Sequence, residues 1–287
     1  MLPRLRECLL DLGQPIAKRT HVAFHLRTMN TPDAVEVVAE ALRIREDSEL
    51  MRHELAYILG QMQNPVANST LEAILDDETD DVLVRHESAE ALGAIGDVKS
   101  IDILMKYCNH KAPEISETCK IAVDLIKWRK TKGNSENVDK GLYLSIDPAP
   151  PLSQDVSIDE LVKIMMDKSA SLFQRYRAMF SLRNLNSDDS ALALLSGFDD
   201  DSVLFRHEVA YVLGQMQRSA TVNGLLKVLE NKDEHRMVRH EAAEALGAVG
   251  GNKVEDILAQ YKDNDDIVVT QSCEVALDTM DYWSEFS

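Results

Sequence analysis

The chain has 287 residues, 45% of them hydrophobic, and a formal net charge of −18. This size and composition allow a sizeable core in one or two domains, and no stretch reaches the roughly 20 apolar residues of a membrane span. The acidic balance argues against a nucleic acid partner, whose phosphates require a basic surface, and favours a cationic one, although acidic turns also serve simply to keep a helical protein soluble.

The first half of the chain contains repeated segments. The two strongest contain Arg52-His53-Glu54 and Arg85-His86-Glu87, and the second histidine follows the first by 33 residues. Weaker repeats flank them on both sides, anchored at Arg19 and Ser116. The first half is therefore predicted to hold four repeats.

Each repeat is predicted to form two helices. In the third repeat Ala89, Leu92 and Ile95 recur at helical intervals, which indicates the second helix of the pair. We expect Gly93 and Gly96 to end or constrict this helix, because glycine commonly adopts the left-handed conformation at helix ends. No alternating pattern of useful length predicts a strand, so the predicted class is all-α.

The periodicity lapses in residues 131–157. This segment contains Gly133-Asn134-Ser135 and Pro148-Ala149-Pro150-Pro151, which cannot sustain a helix. We interpret it as a linker between an N-terminal domain, residues 1–130, and a C-terminal domain, residues 158–287.

The second half repeats the first, 154 residues later. Its strong repeats contain Arg206-His207-Glu208 and Arg239-His240-Glu241, again 33 residues apart, and its weak repeats are anchored at Arg175 and Thr270. Self-similarity at the 33-residue period is the signature of a helical solenoid, in which each repeat buries its apolar face against its neighbours. The sequence predicts eight two-helix repeats in two pseudo-symmetric halves.

The His-Glu pair occurs only in the middle two repeats of each half. Adjacent residues diverge by about 100° around a helix, so one pair cannot easily aim both side chains at one ion. Equivalent helices of neighbouring repeats lie about 8–10 Å apart, so two pairs together can reach a common centre. The candidates for the two centres are His53 and His86 with Glu87 or Glu54, and His207 and His240 with Glu241 or Glu208.

Two imidazoles and one carboxylate, with positions left open, are typical of non-haem iron(II) that activates oxygen. A structural zinc site would close its four positions, commonly with cysteine, and no cysteine lies beside these pairs. A repeated capping or packing pair is the alternative. The arginines before His-Glu share their slot with Arg19 and Arg175, so we predict that they are structural and pair with the acidic turns or with neighbouring helices. Glu90 and Glu244, four residues after the histidine of their repeats, could hydrogen-bond those histidines or be solvated.

The four cysteines lack Cys-x-x-Cys spacing, which predicts reduced, buried thiols. The N-terminal residues lack the long uncharged apolar core of a secretory signal. We therefore expect a cytoplasmic protein, and we expect it to be a monomer.

The pattern Arg-His-Glu-x-Ala-x-x-Leu-Gly in the middle repeats resembles the deoxyhypusine hydroxylase family, and the resemblance covers essentially the whole chain. Generic HEAT-like repeats share the scaffold residues but leave the His-Glu slots variable. The resemblance implies a HEAT-like solenoid that works as a di-iron monooxygenase with molecular oxygen as co-substrate. Members of the family hydroxylate the deoxyhypusine residue of translation initiation factor five-A and so complete hypusine biosynthesis.

The resemblance also implies a division of roles among the His-Glu residues. One iron would be bound by His53, His86 and Glu87, and the other by His207, His240 and Glu241. Glu54 and Glu208 would bind the cationic amines of the substrate or act as additional metal ligands. Two other functions remain open: a non-catalytic HEAT-repeat adaptor that binds a basic partner, and a hydrolase that uses zinc at the same ligands.

Overall fold

The computed structural model describes residues 1–132, 142–152, 155–263 and 266–284. Within these ranges the chain forms sixteen α-helices and no strand, which confirms the predicted all-α class. Those of the first half are α1 (Leu2–Leu10), α2 (Ile16–Met29), α3 (Pro32–Leu42), α4 (Glu49–Met62), α5 (Asn68–Asp76), α6 (Val82–Ile95), α7 (Ile101–Tyr107) and α8 (Pro113–Lys132). Those of the second half are α9 (Ile158–Met166), α10 (Leu172–Leu185), α11 (Asp188–Leu194), α12 (Val203–Met216), α13 (Val222–Glu230), α14 (Arg236–Val249), α15 (Asn252–Leu258) and α16 (Ile267–Ser284).

The helices belong to two compact units. One comprises Met1–Asn137 with Ser145–Pro148, and the other comprises Val138–Leu144 with Ala149–Ser287. Each unit contains four helix pairs, as the eight predicted repeats require. The predicted linker, residues 131–157, lies partly outside the described residues, and the predicted domain bounds stay a prediction. Among the described helices, none combines the length and apolar character needed to cross a membrane.

The second helix of each middle repeat stacks closely on the second helix of the next. A Cβ atom added to Gly60 of α4 would lie 2.8 Å from the Cα of Ala91 in α6, and one added to Gly93 would lie 2.8 Å from the Cβ of Ala122. Of the two roles expected for Gly93, ending the helix was wrong, because Gly93 lies inside α6 and admits the neighbouring backbone. Gly96, at φ +79°, ends α6 in the left-handed conformation, as predicted.

Buried arginines tie five of the second helices to the first helices of their repeats. Arg52 Nε donates to the carbonyl of Leu42, 3.0 Å away, and its two terminal nitrogens bind the Asp80 carboxylate at 2.5 and 2.6 Å. Arg206 instead binds Glu234 at 2.9 and 2.7 Å. The same side chain-to-carbonyl bond joins Arg19 to Leu9, Arg85 to Leu75, Arg175 to Met165 and Arg239 to Leu229. The predicted structural role of these arginines is confirmed.

The four cysteines are free, and all except the half-buried Cys8 are buried. Burial raises the pKa of the Cys273 thiol to about 12 and that of Cys119 further still. Both thiols are therefore protonated near neutral pH. The predicted burial holds for Cys108, Cys119 and Cys273 and was wrong for Cys8.

Candidate metal centre

Equivalent helix starts place the two histidines of the N-terminal unit side by side. The hydroxyl of Ser48 caps α4 by accepting the N–H of Met51, and the Asp81 carboxylate caps α6 in the same way. His53 and His86 are each the fifth residue of their helix. Because α4 and α6 are stacked in register, the two ring centroids lie 5.4 Å apart.

Glu87 brings a carboxylate to both imidazoles. Its Oε2 lies 3.2 Å from His53 Nε2 and 3.9 Å from His86 Nε2. Ligands about 2 Å from one ion lie about 3–4 Å from one another, so these separations are those of a coordination shell. One ligand atom from each of His53, His86 and Glu87 lies within 4.8 Å of the others. The structure therefore brings together the three residues predicted for the first ion.

Glu54 lies on the other side of His53. Its Oε1 is 3.2 Å from His53 Nδ1, so the two imidazole nitrogens of His53 face two different carboxylates. Burial lowers the pKa of His53, but the charge of Glu87 and hydrogen bonds with Glu54 and Glu87 outweigh burial and raise it well above its ordinary value. The cluster therefore attracts positive charge strongly.

The C-terminal unit has a related arrangement on α12 and α14, in which the grouped ligand atoms are those of His240, Glu241 and Glu244. His207 and His240 are again the fifth residues of their helices, and their ring centroids lie 5.3 Å apart. Glu241 Oε2 lies 3.4 Å from His207 Nε2. The helix α14 is capped by His235, whose Nδ1 accepts the N–H of Met237, so this histidine has a structural role outside the cluster.

The C-terminal cluster includes one further carboxylate. Glu244 Oε1 lies 3.4 Å from His240 Nδ1, and ligand atoms of His240, Glu241 and Glu244 all lie within 4.8 Å of one another. The hydroxyl of Ser272, in α16, donates to the same Glu244 oxygen at 3.1 Å. Sequence reasoning had considered Glu244 but assigned no role to Ser272. The sequence signal for Ser272 is that a hydroxyl residue occupies, in the last repeat, the position that the glutamate of the His-Glu pair has in the preceding one.

All eight His-Glu side chains are buried. His86 and His240 have no exposed surface, Glu54 retains 8% and Glu208 retains 2%. Burying a carboxylate is costly unless a cation or hydrogen-bond donors compensate it. Four glutamates buried beside four histidines are therefore a donor set that could bind metal ions.

Fold and site together define a class of protein: an α-helical repeat protein with buried histidine and carboxylate clusters that could hold metal ions. The family model for HEAT repeats matches residues 2–83 and 189–278. The family model for the PBS lyase HEAT-like repeat matches residues 84–110. The chain is 45% identical to deoxyhypusine hydroxylase of Danio rerio over 96% of this chain and 90% of that protein. It is 42% identical to deoxyhypusine hydroxylase of Candida albicans over 98% of this chain and 92% of that protein.

The structure is also similar to that of human deoxyhypusine hydroxylase in complex with glycerol, with a TM-score of 0.93 and 42% identity over 98% of this chain and 96% of that one. The chain belongs to the deoxyhypusine hydroxylase family. The predicted family, repeat fold and enzyme class are thereby confirmed. The assignment of individual metal ligands stays a prediction.

Proposed function

We propose that this protein hydroxylates the deoxyhypusine side chain of translation initiation factor five-A, in an oxygen-dependent reaction that uses two iron ions per chain and completes hypusine biosynthesis. One observation carries this function: in each unit, two adjacent helices bury two imidazoles beside carboxylates at coordination distances. The names and high coverage of the relatives support it.

The donor set fits iron(II). Imidazole nitrogens and a carboxylate oxygen are the ligands of non-haem iron oxygenases, and positions left open on the metal can take oxygen. We assign one iron to His53, His86 and Glu87, and the other to His207, His240 and Glu241. The iron ions, when bound, supply the capacity to activate molecular oxygen.

The carboxylates next to the predicted ligands orient an imidazole and bind the substrate. Glu54, against His53 Nδ1, holds that ring with Nε2 towards Glu87. The second role that we give to Glu54, and to Glu208, is to bind the cationic amines of the substrate, because charged hydrogen bonds are strong where water is excluded. Direct metal ligation by Glu54 or Glu208 is the alternative role. Since both carboxylates are buried, a long, flexible side chain such as deoxyhypusine reaches them where a flat protein surface does not.

The acidic surface charge of the chain favours a substrate protein with a cationic modification. The free cysteines support a cytoplasmic location, and we expect the protein to act as a monomer. An adaptor that merely binds a basic partner would need none of the buried histidines and carboxylates, so the clusters disfavour that function.

Metal-dependent turnover distinguishes the hydroxylase from a zinc hydrolase. Metal-free protein is loaded with Fe(II) or Zn(II) and mixed with the deoxyhypusine form of the factor, a reductant and oxygen. We expect the mass gain of one oxygen atom on the substrate with iron only. His86→Ala should abolish it, and His110→Ala should not, because His110 lies outside both clusters and accepts the N–H of Ala112. Failure of the iron-loaded protein, or equal turnover with zinc, would overturn the proposed function.

A further inference from the structure

We propose that Glu244, held in place by Ser272, is a positioning residue that fixes His240 for metal binding in the C-terminal unit. This inference rests on the proposed function, because it concerns one of the two ions assigned above. It adds Glu244 of α14 and Ser272 of α16 to the metal centre, and neither residue belongs to a His-Glu pair.

Two helices, α14 and α16, create the contact. Glu244 follows His240 by one helical turn on α14, so both side chains lie on one face. The helix α16 packs tightly on α14, since a Cβ atom on Gly247 would lie 2.6 Å from the Cβ of Ala276. This close packing places the fully buried Ser272 against the Glu244 carboxylate, at 3.1 Å. The hydroxyl and His240 Nδ1 both face the same oxygen, Oε1, which has two lone pairs to accept both donors.

The contact selects the imidazole nitrogen that is left to bind a metal. A neutral imidazole carries one N–H, and the nitrogen without it binds the ion. With Nδ1–H donated to Glu244, the lone pair of His240 is on Nε2. The N-terminal unit has the same kind of carboxylate contact at a different histidine, because Glu54 lies 3.2 Å from His53 Nδ1 while His53 Nε2 faces Glu87.

The equivalent hydroxyl in the N-terminal unit is used differently. Thr118 occupies the Ser272 slot in α8, and its Oγ1 donates to the carbonyl of Glu114 in its own helix, at 2.7 Å. Thr118 therefore provides a matched control: a buried hydroxyl at the same repeat position whose removal should not disturb an imidazole.

The test is anaerobic Fe(II) binding to the full chain in competition with a coloured chelator, together with thermal unfolding of the metal-free protein. Glu244→Ala should weaken one of the two iron sites about 10-fold, the effect typical of removing a hydrogen-bond partner of a ligand histidine. Glu244→Gln should rescue most of the affinity, because its amide oxygen still accepts from His240 and Ser272. Ser272→Ala should weaken the same site less, and Thr118→Ala should weaken neither.

Each other outcome overturns the inference. If Glu244→Gln is as damaging as Glu244→Ala, the carboxylate binds the metal directly or acts through its charge. If Glu244→Ala and Ser272→Ala lower only the melting temperature and leave both iron affinities unchanged, the pair is merely structural. The wild type separates this failure from that of the proposed function: a wild-type chain that binds no iron contradicts the proposed function and the inference with it, whereas a wild type that binds two irons, together with variants that bind them equally well, contradicts the inference alone.

Discussion

Replacing the buried Arg52 should strongly destabilise the N-terminal unit, because it leaves a buried carboxylate without its main partner. The Arg52 side chain is 3% exposed and that of its partner Asp80 is 2% exposed. Replacing Arg52 with alanine leaves a buried carboxylate that still has Arg45, 3.0 Å away, and the N–H of Asp81. Removing one partner of a buried ion pair costs about 3–5 kcal/mol. We expect the lower end of this range, about 3 kcal/mol, because Arg45 still balances part of the charge.

Arg45→Ala is the matched control. Arg45 binds the same carboxylate, but its side chain is 41% exposed, so its ion pair is screened by water and should contribute at most about 1 kcal/mol. Urea unfolding of the metal-free proteins, followed by circular dichroism, measures both losses. The reasoning is refuted if the two substitutions cost the same, or if Arg52→Ala costs less than about 1 kcal/mol.

Three further substitutions or treatments have defined outcomes. Glu54→Gln should leave the iron content at the wild-type level and raise the KM for the deoxyhypusine substrate; loss of one iron would instead make Glu54 a ligand. Gly60→Ala should lower the urea midpoint, because overpacking against Ala91 costs about 1–3 kcal/mol and the gain in helix propensity returns only about 1 kcal/mol; a higher midpoint would contradict the close helix approach. Cys273, with its pKa raised to about 12 by burial, should resist iodoacetamide near neutral pH until the chain is unfolded; rapid labelling of the native protein, measured by mass spectrometry, would contradict its burial.

The repeat register was predictable from sequence because each strong repeat places the same residue types in the same slots. The histidines fall at the fifth residue of each second helix, so their pairing follows once consecutive helices stack in register. The arginine slot was equally predictable, since it occurs with and without His-Glu. The sequence predicted acidic partners for these arginines but not the individual residues, because Asp80 and Glu234 reach their arginines from turns of different composition.

Side-chain choices between near-equivalent repeats were not predictable. Whether a hydroxyl bonds to its own helix, as in Thr118, or to the next one, as in Ser272, depends on rotamers and on local helix spacing. Gly93 was misjudged for a similar reason. A glycine near a helix end and a glycine at a helix crossing have the same sequence signal, and only the position of Ala122 distinguishes them.

The number of iron ions bound per chain tests the central claim most directly. Metal-free wild type, His86→Ala, His240→Ala and the double variant are titrated with Fe(II) under anaerobic conditions, and protein-bound iron is counted. One cluster of His-Glu pairs in each unit predicts two ions for the wild type, one for each single variant and none for the double variant. A wild type that binds no iron, or single variants that each retain two ions, would contradict the account.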